Sequence, residues 1–227
     1  EQFVTIPYNK RDIKIDGKNA DGKWDHAVRF PLVYNIETGG PAETPTWVSL
    51  AYDEDFLYFS METDIPQWAL DDAATYLLRG SLLSDQVIHD SQVELDDSYD
   101  IRIFPWDPLV SVEKNEVYRF LVNGINTCSD YSLTVEGDKN IDWNPGWETK
   151  SEIKGDGWYV EGKIPFKDFE QAPVPGEIWG LSFLRIWRIL KDEVNGILPW
   201  GKIDEPSWEE MVNNLSRFCF AEKDLPF

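Results

Sequence analysis

The chain has 227 residues and a formal charge of −21, with 42 acidic side chains against 21 basic ones. That excess of carboxylates repels phosphate backbones, anionic lipid surfaces and strongly anionic polysaccharides, and so argues against nucleic acid as a partner. No apolar run is long enough to span a bilayer, and the opening Glu1-Gln2-Phe3 lacks the basic start of a signal peptide, so the chain reads as a mature or excised domain.

Taken in chain order, the sequence reads as strands. Val48-Ser49-Leu50-Ala51-Tyr52 alternates apolar with small or polar residues, Asp53-Glu54-Asp55 interrupts it, and Phe56-Leu57-Tyr58-Phe59-Ser60-Met61 resumes, which predicts a hairpin. A long loop from Gln67 to His89 follows, with a turn or two of helix expected over 71–83. Further strands are expected over 93–96, 99–104, 117–122, 131–135, 148–153, 158–164, 178–189 and 217–221. Asn123-Gly124 and Lys154-Gly155-Asp156-Gly157 supply turn chemistry with positive φ available. Ser207, with Glu210 three residues on, caps a short helix over 207–215. No linker, compositional shift or fixed-period repeat divides the chain. The sequence therefore predicts one domain over residues 1–227, an all-β antiparallel β-sandwich of jelly-roll type with minor short helices. Cys128 and Cys219 fit no metal-binding spacing and are either one disulfide or two buried thiols.

The ligand class is suggested by the eleven tryptophans. Trp68 follows Ile65-Pro66-Gln67, Trp106 lies between Pro105 and Asp107, Trp143 and Trp147 bracket Asn144-Pro145-Gly146, and Trp200 lies between Pro199 and Gly201. An indole held on a turn presents a flat, half-wet face that matches the C–H face of a pyranose, so a sugar is the first ligand to consider. The competing reading for each is packing at an end of the sandwich; Trp24, Trp158 and Trp179, inside strand or turn blocks, read as core.

Several blocks, in order, resemble one family. They are Ile13-Lys14-Ile15-Asp16-Gly17 with Trp24, Leu50 to Tyr58, Asp90-Ser91-Gln92-Val93-Glu94-Leu95, Tyr118 to Asn123, Gly157 to Phe166, Trp179 to Arg185, and Pro199-Trp200 with Ser207-Trp208. Together they resemble a family 9 carbohydrate-binding module, a DOMON-like β-sandwich. The resemblance implies a non-catalytic module, extracellular, cell-surface or periplasmic, that binds plant or algal glycans. It also implies attachment to, or work beside, a polysaccharide-degrading glycoside hydrolase, with no required cofactor and with a structural calcium permitted. Trp200 matches the family's second stacking tryptophan, with Trp208 packing beneath. Glu94 matches a carboxylate that accepts sugar hydroxyls, Arg119 a guanidinium that donates to them, and Arg185 lies near a further polar contact. The first stacking tryptophan has no counterpart: Val87 stands in its place, and Trp68, Tyr76 and Trp106 are the nearest aromatic candidates. The expected ligand-binding set is thus Trp200, Glu94, Arg119, Trp68, Arg185 and Trp106.

Other readings of the same residues stand beside these. Glu94 and Arg119 could form a cross-strand ion pair. Asp16, Asp21, Asp53 and Asp55 could offer oxygen to calcium, but no Asp-x-Asp-x-Asp-Gly loop is present and the metal ligands stay unassigned. Glu94-Leu95-Asp96 would put two carboxylates on one strand face, as in a jelly-roll glycoside hydrolase, with Glu161 as the second carboxyl because the familiar spacing falls on Tyr99. A haem-binding sandwich would need axial ligands from Met61, Met211, His26 or His89.

Overall fold

The computed structural model describes residues 3–18, 22–65, 82, 84–111, 116–134, 137–169, 171–190, 193–200 and 215–223, with backbone alone for 189–190 and 193–200. Its strands are β1 (Val4–Ile6), β2 (Val28–Asn35), β3 (Gly40–Tyr52), β4 (Phe56–Asp64), β5 (Ser98–Phe104), β6 (Glu116–Asn123), β7 (Cys128–Thr134), β8 (Lys139–Asn140), β9 (Glu148–Lys154), β10 (Gly157–Pro165), β11 (Ile178–Leu190), β12 (Glu193–Trp200) and β13 (Ser216–Phe220). They form two sheets. The larger runs β1-β13-β11-β5-β6-β7-β8 with β12 pairing to the far half of β11, and the smaller runs β2-β3-β4-β10-β9. Every strand pair is antiparallel except β1 with β13. The expected all-β sandwich is therefore present.

Alternation along each strand builds the layers, because successive side chains point to opposite faces. Tyr99, Ile101 and Ile103 of β5, Tyr118, Phe120 and Val122 of β6, and Trp158, Val160 and Ile164 of β10 all enter one buried core. The intervening residues face outward. Tyr99 and Trp158 stack across the two sheets, ring centres 4.0 Å apart and 10° from parallel, a contact worth about 0.5–1.5 kcal/mol beyond its buried area. Register confirms the predicted turn between β9 and β10: Lys154 pairs with Gly157, leaving Gly155-Asp156 as the loop, with Gly155 at φ 62°.

Some expectations need correction. Residues 93–96 are not a strand; Val93–Leu95 is one 3-10 turn. The Asp96 carboxylate accepts the backbone N–H groups of Asp85 and Gln86 and the Asn123 amide, so side-chain bonds rather than a ladder anchor this segment. Strands β1, β2, β8 and β12 were not expected. Pro31 in β2 disguises it, and is tolerated because β2 is an edge strand of its sheet. The turn tryptophans Trp143 and Trp147 do not offer open faces. Both pack against Phe120, and Trp143 also meets Tyr118, so they close an end of the sandwich. Trp158 and Trp179 are core as expected, and Trp24 is half-buried. Cys128 and Cys219 are free thiols. The helices expected over 71–83 and 207–215 fall outside the described residues, save Leu82 and Leu215, which are buried. Trp68, Tyr76, Trp208, Met211, Asp21 and the Trp200 side chain also lie outside them.

The end closed by Trp147 carries a strained carboxylate. Asp130 is 2 % exposed and accepts the Trp147 indole N–H at 2.9 Å, while its Oδ1 has no partner. Burial, with added repulsion from Asp90 and Asp168 and against the pull of Trp147 and His89, pushes its carboxyl up to about 6. Unfolded, it would titrate near its ordinary value of 3.8, so between these values the folded state holds more protons and stability falls as pH rises. Asp130→Asn is expected to raise the thermal midpoint above wild type at pH 7 and to lose that advantage at pH 4; an equal gap at both would contradict the assignment. Gly162 gives a second check, since a Cβ there would lie 2.5 Å from the Phe59 ring and 2.7 Å from the Glu148 carbonyl. Gly162→Ala is expected to cost about 1–3 kcal/mol in chemical denaturation, and an unchanged midpoint would contradict the packing.

Candidate functional site

The outer face of the large sheet carries a polar row across four strands. Register aligns Ser182 of β11, Arg102 of β5, Arg119 of β6 and Tyr131 of β7 side by side. Two arginines directly opposite each other would repel. Asp100, two residues before Arg102 on the same face of β5, relieves this. Its side chain has no exposure, and it receives Arg119 through Nε at 3.0 Å and Nη2 at 2.7 Å, and Arg102 through Nε and Nη2 at 3.3 Å. Burial alone would raise the Asp100 carboxyl, but the two guanidiniums outweigh it and hold it below the ordinary range. Burial likewise works against the charge on Arg119, and Asp100 overcomes it, raising Arg119 further. Arg119 also donates through Nη1 to the Tyr131 hydroxyl. The competing reading, an ion pair of Glu94 with Arg119, is not what forms: Arg119 pairs with Asp100.

Glu94 stands over this row on the 3-10 turn. Val93 beside it is buried with Leu121 and Tyr131, which plants the turn on the sheet. Arg188 fastens it from β11, donating from Nε to the Glu94 carbonyl at 2.9 Å and from its backbone N–H to Asp97 at 3.0 Å. The Glu94 side chain is half-buried and makes no hydrogen bond to the described residues. Lys139 covers the Tyr131 ring at 3.7 Å, so that ring is not an open stacking surface. Trp200 ends β12 in a backbone row with Phe183, Ile101 and Phe120, three strand spacings, roughly 14 Å, from β6. The arrangement offers fixed donors beside a carboxylate acceptor, chemistry suited to paired hydroxyls.

Other expected residues lie elsewhere. Arg185 has the parity of Leu181 and Phe183 and points between the sheets with no exposure. There it donates to Thr63 at 2.9 Å and Thr44 at 3.2 Å and lies over the Trp187 ring; burial lowers its guanidinium from the ordinary value. Trp106 is 8 % exposed and packs edge-on to Phe104, in a cluster with Val117 and Leu215. Neither is brought to the face that carries Glu94 and Arg119. Asp100, Arg102, Tyr131 and Arg188 were missed, though the outward parity of Asp100 and Arg102 in Asp100-Ile101-Arg102 is a readable signal.

Glu94 and Glu161 do not form a catalytic pair. Glu161 lies on the outer face of the other sheet with no exposure. It accepts the backbone N–H groups of Asp16 at 2.5 Å and Gly17 at 2.6 Å and the Tyr159 hydroxyl at 2.8 Å, and pairs with Lys23 at 2.6 Å. Asp96, as described, is occupied with the 84–97 loop. For haem, Met61 is fully buried in the core and His26 is on an exposed turn. Among the proposed calcium ligands, Asp16 pairs with Lys23, and Asp53 accepts the Asp55 and Phe56 N–H groups and the Tyr58 hydroxyl. Among the described residues, donors from His89, Asp90 and Asp130 come within 4.8 Å of one another. There the imidazole lies between the two carboxylates, with Nδ1 2.7 Å from Asp90 and Nε2 3.6 Å from Asp130.

No protein-family model matches the sequence, and no curated protein matches it. Solved structures do. A family 9 carbohydrate-binding module from Caldicellulosiruptor kristjanssonii in complex with glucose aligns at a TM-score of 0.68 and 15 % identity, covering 99 % of each chain. A structure of a family 9 module from the same organism with cellotriose aligns at 0.69 and 15 %, covering 100 % of this chain and 99 % of that one. A Bacteroides uniformis protein aligns at 0.71 and 13 %, covering 96 % of this chain and 99 % of its own. The chain thus has the fold of the family 9 carbohydrate-binding modules.

Proposed function

We propose that the protein is a non-catalytic carbohydrate-binding module that takes a mono- or oligosaccharide on the outer face of its large sheet. The observation that carries this reading is the row of Arg102 and Arg119, locked by buried Asp100, beneath the available carboxylate of Glu94. Such a set donates to and accepts from neighbouring hydroxyls with little ordering cost, since the guanidiniums are held before ligand arrives. The likeness in fold to modules solved with glucose and with cellotriose supports the same ligand class. In this proposal the module works outside the cytoplasm beside a polysaccharide-degrading glycoside hydrolase. The affinity is modest, micromolar to millimolar, because each hydroxyl bond exchanged with water nets only about 1 kcal/mol.

A panel of plant and algal oligosaccharides, titrated calorimetrically with reducing-end release followed in the same samples, tests this. Glu94→Ala is expected to weaken binding about ten- to a hundredfold, the worth of one or two bonds to a charged group, with the thermal midpoint unchanged. Affinity unaffected by Glu94→Ala, or release of reducing ends by the wild type, would overturn the reading.

A further inference from the structure

The outer face of the small sheet holds a cavity of about 620 Å³, on the side of the sandwich opposite to Arg119 and Glu94. Four residues in lateral register cross it: Trp47 of β3, Glu62 of β4, Tyr159 of β10 and Glu152 of β9. Aromatic and acid alternate strand by strand. Trp47 and Tyr159 are two strand spacings apart, roughly 10 Å, which is about the separation of alternate rings in an extended β-linked glycan.

Each aromatic is held in place. Arg29 lies 4.3 Å above the centre of the Trp47 ring and ion-pairs with Glu62. The Tyr159 hydroxyl accepts the Trp24 indole N–H at 3.0 Å and donates to Glu161 at 2.8 Å. Glu161 also fixes a wall of the cavity, since it accepts the N–H groups of Asp16 and Gly17 and so pins residues 16–18 against the sheet. Gly17 is required there: its φ is +77°, and a Cβ would lie 2.7 Å from the Lys150 side chain.

The charge of the cavity differs from that of the molecule. Among the described residues, Lys18, Arg29 and Lys154 face Glu62, Asp64 and Glu152 around its lining, three cations against three anions, whereas the chain as a whole carries −21. An anionic ligand would be repelled by the field of the whole protein, and a cation finds no local excess of carboxylate. A neutral molecule rich in hydroxyls can use the donors and acceptors together, with apolar ring faces against the aromatics. The volume is within the range of small-ligand sites. We propose that this cavity is a second binding site, for a neutral oligosaccharide, seated on Tyr159 and on the Arg29 guanidinium that caps Trp47, and hydrogen-bonded by Arg29, Glu62 and Glu152. It stands on residues separate from the Glu94 face and does not depend on it. Two sites on opposite faces would let one molecule engage two glycan chains and gain avidity on a polymer surface.

The test is calorimetric titration of neutral glucan, xylan and mannan hexasaccharides, with a galacturonate hexasaccharide as the charged comparison. The variants are Trp47→Ala, Arg29→Ala, Glu94→Ala and Trp47→Ala with Glu94→Ala. Wild type is expected to bind two molecules of a neutral hexasaccharide, Trp47→Ala one, Glu94→Ala one, and the double variant none. Arg29→Ala, at an exposed side chain and without loss of an aromatic, is expected to weaken the Trp47-dependent site about tenfold and decides the matter if Trp47→Ala does not fold. If no site is lost in Trp47→Ala and Arg29→Ala binds as wild type, if no neutral hexasaccharide binds the Glu94→Ala variant, or if galacturonate binds more tightly than the neutral sugars, the proposal is overturned. A wild type that binds one molecule, lost in Trp47→Ala and kept in Glu94→Ala, counts against the other face and leaves this one standing.

Discussion

A carboxylate with no solvent exposure sits on the outer face of a central strand. Asp100 stays ionised there because Arg102 and Arg119 surround it, and those arginines tolerate their side-by-side register because Asp100 stands between them. Removing one partner of such a buried arrangement leaves an uncompensated charge and costs about 3–5 kcal/mol. The interaction therefore fixes more than stability. It sets where the guanidinium forks point, holds the Tyr131 hydroxyl through Arg119, and forms the floor on which the Val93–Leu95 turn places Glu94.

Glu161 does the matching work on the other sheet. It too is a fully buried carboxylate on an outer face, and it gathers two backbone N–H groups, a tyrosine hydroxyl and a lysine. The segment it anchors packs Ile13, Ile15 and Trp24 against Ala51 and Tyr58, a small cluster that the sandwich core does not reach. The core thus joins the sheets, while one buried acid on each sheet organises what covers its outer surface. The Val93–Leu95 turn overlies one face, and the N-terminal segment borders a cavity on the other.

Most of the sandwich was legible because period-two alternation is strong in residues 48–61, 99–104, 117–122 and 158–164, where inward aromatics and aliphatics trade places with polar residues. Strand β2 was hidden by Pro31, and β12 by its short, mixed sequence. The 93–96 segment looked like a strand because Val93 and Leu95 alternate with acids, but Asp96 anchors the chain through its side chain instead. Of the candidate site, Arg119 and Glu94 were named through a resemblance between ordered motifs, and Asp100 was not, because the partner of Arg119 depends on register. Arg185 shows the cost of ignoring parity: one residue from outward-facing Leu184, it points into the core. The turn tryptophans misled for a related reason, since Pro and Gly neighbours locate an indole on a turn without saying whether that turn folds over the core.

The account rests on Glu94 and Arg119 meeting a saccharide on the large-sheet face. A crystal structure of the protein soaked with cellotriose, with a xylan and a mannan oligosaccharide in parallel, tests that contact most directly. It should show a sugar whose vicinal hydroxyls lie within hydrogen-bond distance of the Glu94 carboxylate and the Arg119 guanidinium. Saccharide bound only away from these two residues, or a cleaved product in place of the soaked chain, would contradict it.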